Sequence, residues 1–115
     1  MKIKNRTNEW LKKSFDLFNN RYFFGRLVST KVEYGTPQEG ADAHWDGQSR
    51  TIIVDKNLRT HDSLAMICLL HEMAHAYLDM DEYEGGTTTK DRFHGMRYQA
   101  EIWRLIQAGA YDGLL

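Results

Sequence analysis

Two histidines four residues apart with a glutamate between them, His71-Glu72-Met73-Ala74-His75, form the stretch of this chain whose residue types and spacing most directly specify a chemistry. On a helix, residues i and i+4 share one face about 5–6 Å apart, so both imidazoles can reach one ion at the roughly 2.0–2.1 Å of a zinc–nitrogen bond. Glu72 sits one step round, where its carboxylate can take a proton from a water at the remaining coordination position. That division of labour is what the HExxH pattern implies. The bland alternative is a pair of core histidines, since a five-residue pattern with two free positions also arises by chance. It leaves three polar groups seeking partners in an apolar helix, whereas one zinc ion engages all three.

A catalytic zinc site takes three protein ligands and keeps its fourth position open. The downstream candidates are His94, Glu101 and the acidic run Asp79, Asp81, Glu82 and Glu84. The acidic run follows the helix too closely to fold back and reads as a solvated loop. Glu101 falls in RFHGMRYQAEIWRLIQA, where Phe93, Met96, Ala100, Trp103 and Ile106 or Gln107 trace the expected buried face, so Glu101 is expected to turn outward. His94 opens the same stretch beside Gly95, at a helix end from which a side chain can project. It is the expected third ligand.

The element that must carry the pair runs from Asp62. DSLAMICLLHEMAHAYL holds no Gly, Pro, Thr or Val, and Thr60 offers an N-cap oxygen, so little opposes a helix. Leu64, Ile67, Cys68, His71, Ala74, His75 and Leu78 fall on one face, while Leu69, Leu70, Met73 and Tyr77 occupy much of the rest. A helix apolar nearly all round belongs at the centre of a core. Upstream, a helix is expected from about Asn8 to Arg21, with Trp10, Leu11, Phe15, Phe18 and Tyr22 facing the core. Val28, Thr30, Val32 and Tyr34 alternate as a strand, and Ala43–Trp45 with Thr51–Val54 read as a hairpin about an Asp46-Gly47 turn. His44 and His61 are expected at the surface. Residues 79–91, with Gly85, Gly86 and Thr87 to Thr89, read as a mobile loop beside the zinc cleft, either a lid or an idle connection.

HEMAHAYL followed by FHGMRY resembles the SprT-like (Spartan-type) zinc metalloproteases. LFNNRYFFGRL is similar to that family's asparagine-containing, aromatic-rich first helix and its exit, and HWDGQSRTIIVDKNL resembles its hairpin. The resemblance covers most of residues 8–107. It implies zinc held by His71, His75 and His94, with Glu72 as the catalytic glutamate. Many members continue into a cysteine-rich zinc ribbon, whereas Cys68 is the only cysteine here, so the expectation is a minimal form without the ribbon.

Composition suits one small domain over residues 1–115: 42% hydrophobic and 12% aromatic residues, and a net charge of −1. A single cysteine excludes an intramolecular disulfide framework, and Cys68 is expected to pack within its helix. No segment reads as a signal peptide or a membrane span, so the expected location is the cytoplasm and the expected state a monomer. Residues 1–31 carry eight Lys or Arg against Glu9 and Asp16, a balance of +6 that leaves −7 for the remainder. Such a patch can touch the phosphates of DNA, and it can equally be a solvated helix face.

These features converge on an α+β, zincin-like single domain: a small sheet packed on a central HExxH helix, with N- and C-terminal helices flanking it. The expected activity is hydrolysis of peptide bonds in a protein or peptide substrate, with Zn2+ as cofactor. Zinc would polarise the carbonyl and bring the pKa of its water towards roughly 7, and Glu72 would move the proton to the leaving amine. Tyr98, Arg97 and Tyr111 remain open as oxyanion partners. Two other functions stay in view: an ImmA-like regulatory peptidase that cuts a dedicated repressor, and a non-catalytic adaptor stapled by structural zinc. The adaptor gives Glu72 no task.

Overall fold

Thr7 caps the first helix, α1 (Asn8–Tyr22), by accepting the Trp10 N–H at 3.1 Å, and Glu9 in the first turn suits the helix dipole. The computed structural model describes residues 5–85 and 95–114, the side chains of 81–85 excepted. Leu11 and Phe15 are fully buried, while Trp10, Phe18 and Tyr22 pack half-buried on the core. The exit from α1 is built by Asn19. Its buried amide donates to the Leu27 carbonyl at 3.2 Å and accepts the Leu27 N–H at 3.0 Å. That clasp closes a turn in which Phe24 (φ 60°) and Gly25 (φ 67°) are left-handed.

The first strand, β1 (Lys31–Gly35), starts later than alternation from Val28 predicts. Ser29 is left-handed at φ 54° and Val28 is exposed, so the extended run is broken before Lys31. Arg50 occupies that corner, its Nη2 donating to the Val28 carbonyl at 2.6 Å. Strands β2 (Ala43–Asp46) and β3 (Thr51–Asp55) form the expected antiparallel hairpin. Its turn, however, takes its positive φ at Arg50 (52°) and not at Gly47; the Asp46 carboxylate organises it by accepting from the Gln48 N–H and Ser49 hydroxyl, both at 3.0 Å. β3 lies between β2 and β1, antiparallel to one and parallel to the other. Ile52 and Val54 are fully buried, as a central strand requires.

A single 3-10 turn (Lys56–Thr60) leads into the long helix α2 (Asp62–Gly85). The expected Thr60 cap is not made: the His61 carbonyl accepts the Ala65 N–H, and the Thr60 hydroxyl is bonded to the His61 ring at 3.1 Å. α2 also runs seven residues past Leu78, so residues 79–85 are helix and not loop. The remainder of the expected 79–91 loop lies outside the described residues. Ala65, Leu69, Leu70, Met73 and Ala74 are fully buried, and α2 packs against β2, β3 and the last helix, α3 (Met96–Gln107).

The buried face of α3 differs from the expected one. Tyr98, Glu101 and Leu105 point inward, whereas Met96, Trp103 and Ile106 are exposed. Glu101 turns in because Arg104, one turn on, meets both its carboxylate oxygens at 2.8 and 2.6 Å and also donates to the Tyr22 carbonyl at 2.9 Å. The ion pair thus ties α3 to the end of α1, and Leu105 follows it into the core. The described residues make a compact α+β domain of three α-helices and a three-stranded mixed sheet, with α1 against β1 and α2 along β2 and β3. Among them no helix is long and apolar enough to cross a membrane.

Candidate metal centre

α2 has a deep side and a half-open side, and both histidines lie on the half-open one. Ala65, Met66, Leu69, Leu70, Met73 and Ala76 fill the deep side, while Ile67, Cys68, His71, His75 and Leu78 are only partly covered. The one-turn spacing sets the His71 and His75 ring centroids 5.2 Å apart, with planes 72° to one another. Glu72, between them in sequence, is buried with 7% of its surface exposed. Burial pushes its carboxyl up to about 7, opposed by a hydrogen bond from the Trp45 backbone N–H. Its Oε2 stands 3.9 Å from His71 Nε2.

Trp45 contributes a second contact, its indole Nε1 donating to Asp79 Oδ2 at 2.5 Å. Asp79 is therefore a helix residue two turns along from Glu72, tied to the sheet, and not part of a solvated loop. Asp81, Glu82 and Glu84 continue the helix, with side chains outside the described set. Cys68 packs on the same partly covered face, its thiol pushed up to about 11 by burial first and then by Asp42 and Glu72. A thiol held protonated is a packing group.

From α3, Tyr98 reaches over both histidines. Its hydroxyl and His71 Nδ1 are 2.7 Å apart, and its ring stacks on that of His75 with centroids 4.4 Å apart and planes 24° apart. Burial raises the Tyr98 hydroxyl pKa well above the ordinary range, so the phenol stays protonated. Sequence reasoning considered Tyr98 only as an oxyanion partner. The sequence carried no signal for this role, because the hydrophobic spacing of α3 leaves Tyr98 off the expected inner face; once buried, its hydroxyl has to find a polar partner.

The remaining expectations sort by position. His94 lies outside the described residues. Glu101, the rival third ligand, has both oxygens engaged by Arg104. Tyr111 is in the core, its hydroxyl pushed up to about 12 by burial and then by Glu101, and Arg97 is half-buried in the first turn of α3. His44 accepts the Gln38 N–H on Nδ1 at 3.0 Å, and His61 is exposed; neither stands with the pair.

Among the described residues no three His, Cys, Asp or Glu side chains converge into a metal cage. The donor chemistry nevertheless fits zinc. Two imidazoles share one partly open helical face, and beside them is a carboxyl whose charged form is penalised by burial. No protein-family model and no curated protein matches the chain.

Proposed function

We propose that this protein is a zinc-dependent metallopeptidase with a zincin-like site, hydrolysing peptide bonds in protein substrates. The observation that carries the reading is the grouping of His71 and His75 on the half-open face of α2 around a buried Glu72 held by the sheet. His71 and His75 would hold the ion, with His94 as the third ligand that the sequence suggests. Bound there, zinc would supply a Lewis acid for the peptide carbonyl and for the attacking water.

The chain's own groups do the rest. Glu72 accepts the proton from the attacking water and delivers it to the leaving amine. Burial pushes this carboxyl up to about 7 in the absence of a metal, and a bound cation would draw it back towards the carboxylate, the form that accepts the proton. The Trp45 N–H keeps that carboxylate from rotating away.

Substrate can be aligned by β2. Asp55 donates to the Asp42 carbonyl at 2.8 Å, which by alternation makes Ala43–Val54 and Trp45–Ile52 the non-bonded pairs of the ladder. The polar backbone groups of Ala43 and the Trp45 carbonyl then face the outer edge. An extended substrate can add to that edge through main-chain hydrogen bonds that read little side-chain identity. The resemblance to SprT-like proteases adds DNA-associated proteins as a substrate class to this proposal.

The test is zinc content and cleavage of an unfolded protein such as reduced casein, for the native chain and Glu72→Gln. We expect about one zinc per chain in both, and hydrolysis lowered by at least about 10²-fold in the variant. Equal cleavage by the two proteins overturns the mechanism, and a native chain without zinc overturns the site.

A further inference from the structure

Resting on the zinc-site reading above, we infer that Tyr98 is the positioning residue of the site: its hydroxyl holds His71 by Nδ1 so that Nε2 is the metal-binding nitrogen, and its ring sets the plane of His75. A neutral imidazole carries one proton and one lone pair, and a metal can take only the nitrogen that bears the lone pair. The partner of the other nitrogen decides which one that is. Tyr98 lies 2.7 Å from Nδ1, while Nε2 is the nitrogen on the side of the Glu72 carboxylate, 3.9 Å away. With the ion on Nε2 the proton sits on Nδ1 and is donated to the phenolic oxygen, which has lone pairs for it.

One side chain thereby touches both histidines in different ways. The hydroxyl fixes the rotation of the His71 ring, and the stacked ring, 4.4 Å from His75, fixes the tilt of the second. Tyr98 can do this because α3 presents it from a position only 4% exposed, so its own hydroxyl is largely shielded from water and held at His71. Because Tyr98 acts through the two histidines it contacts, its effect should be read at the metal.

The deciding variant is Tyr98→Phe, which keeps the stacked ring and removes the hydroxyl. We expect it to stay folded and to bind zinc about 10–100-fold more weakly in competition with a chelator, as loss of a ligand's outer partner does elsewhere. A second measurement is imidazole 15N NMR of the zinc-loaded native protein and of the variant. Ligation of His71 through Nε2, with a solvent-protected Nδ1–H that becomes rapidly exchanging in Tyr98→Phe, is the expected signature. A hydroxyl that served core packing alone would leave both readouts unmoved.

Zinc affinity within twofold of the native value in folded Tyr98→Phe overturns the inference, as does ligation of His71 through Nδ1. If the native chain binds zinc with the expected signature and cleaves no protein, the peptidase reading falls and the role of Tyr98 stands. If the native chain binds no zinc, both fall.

Discussion

The backbone N–H of Trp45 is directed at the Glu72 carboxylate and away from β3. The same residue's indole holds Asp79, two helical turns further along α2. One residue of the edge strand therefore clamps the histidine helix at two points on one face, and the sheet fixes both the rotation and the axial position of that helix. The carboxylate proposed to carry the proton is held by a main-chain donor, which has no rotamer to change.

Trp45→Phe tests the outer half of this clamp. It keeps an aromatic ring in the packing and the N–H on Glu72, and it removes only the bond to Asp79. Hydrogen bonds to charged groups that are partly buried are worth about 1–3 kcal/mol, so urea denaturation should show a loss in that range. Zinc content should be unchanged. No loss of stability means that water replaces the indole at Asp79 without penalty.

The Glu101–Arg104 pair separates the two third-ligand candidates. Glu101→Gln weakens a buried, two-pronged ion pair that also anchors α3 to Tyr22, with an expected cost of about 1–3 kcal/mol. Because those oxygens serve Arg104, the variant should hold zinc as the native chain does, whereas His71→Ala, His75→Ala and His94→Ala should each weaken zinc binding sharply. Zinc lost from folded Glu101→Gln and kept by His94→Ala would exchange their roles.

α2 was legible because its evidence was local: seventeen residues without a breaker and two histidines at a helical interval. α3 was misread for the complementary reason. Hydrophobicity places Met96 and Trp103 inside and Glu101 outside, but a carboxylate met by arginine one turn away buries at modest cost, and that arginine's third bond reaches Tyr22, 82 positions away in sequence. The late start of β1 was hidden likewise. Val28 and Thr30 alternate as a strand does, yet the break at Ser29 depends on Arg50 arriving from another element. The His71–Glu72–His75 grouping on one helix could thus be read from one segment, while its supports, Trp45 and Tyr98, come from elements whose arrival no periodicity announces.

Asn19→Ala should be among the most damaging single substitutions distant from the histidines. The amide satisfies both backbone groups of Leu27, and it is buried with them. Removing it strands an N–H and a carbonyl where water enters poorly, and it releases the left-handed Phe24–Gly25 turn. A loss of about 2–4 kcal/mol in equilibrium denaturation is expected. A loss under about 0.5 kcal/mol, typical of exposed sites, would mean that the turn is held by its packing alone.

The last prediction concerns acid and the start of α2. Arg6 donates to both oxygens of Asp62, with Nη2 to Oδ2 at 2.7 Å, and so ties the segment before α1 to the first residue of the histidine helix. The Arg6 hydrogen bonds hold the Asp62 carboxyl below its ordinary 3.8, against the opposing effect of partial burial. A carboxyl with a depressed folded-state pKa loses its proton more readily folded than unfolded. Its contribution to stability is therefore complete above the unfolded pKa, near 4, and disappears as pH falls through the lower folded value. Arg6→Ala should accordingly melt below the native protein at pH 7, and the gap should be constant down to about pH 5 and close as the pH is lowered further. Both side chains remain substantially open to solvent, so the gap should also shrink in about 1 M salt, where the screening length falls to about 3 Å. A gap that persists at pH 2 would assign the effect of Arg6 to its packing over the Trp10 ring, 4.7 Å away, and not to Asp62.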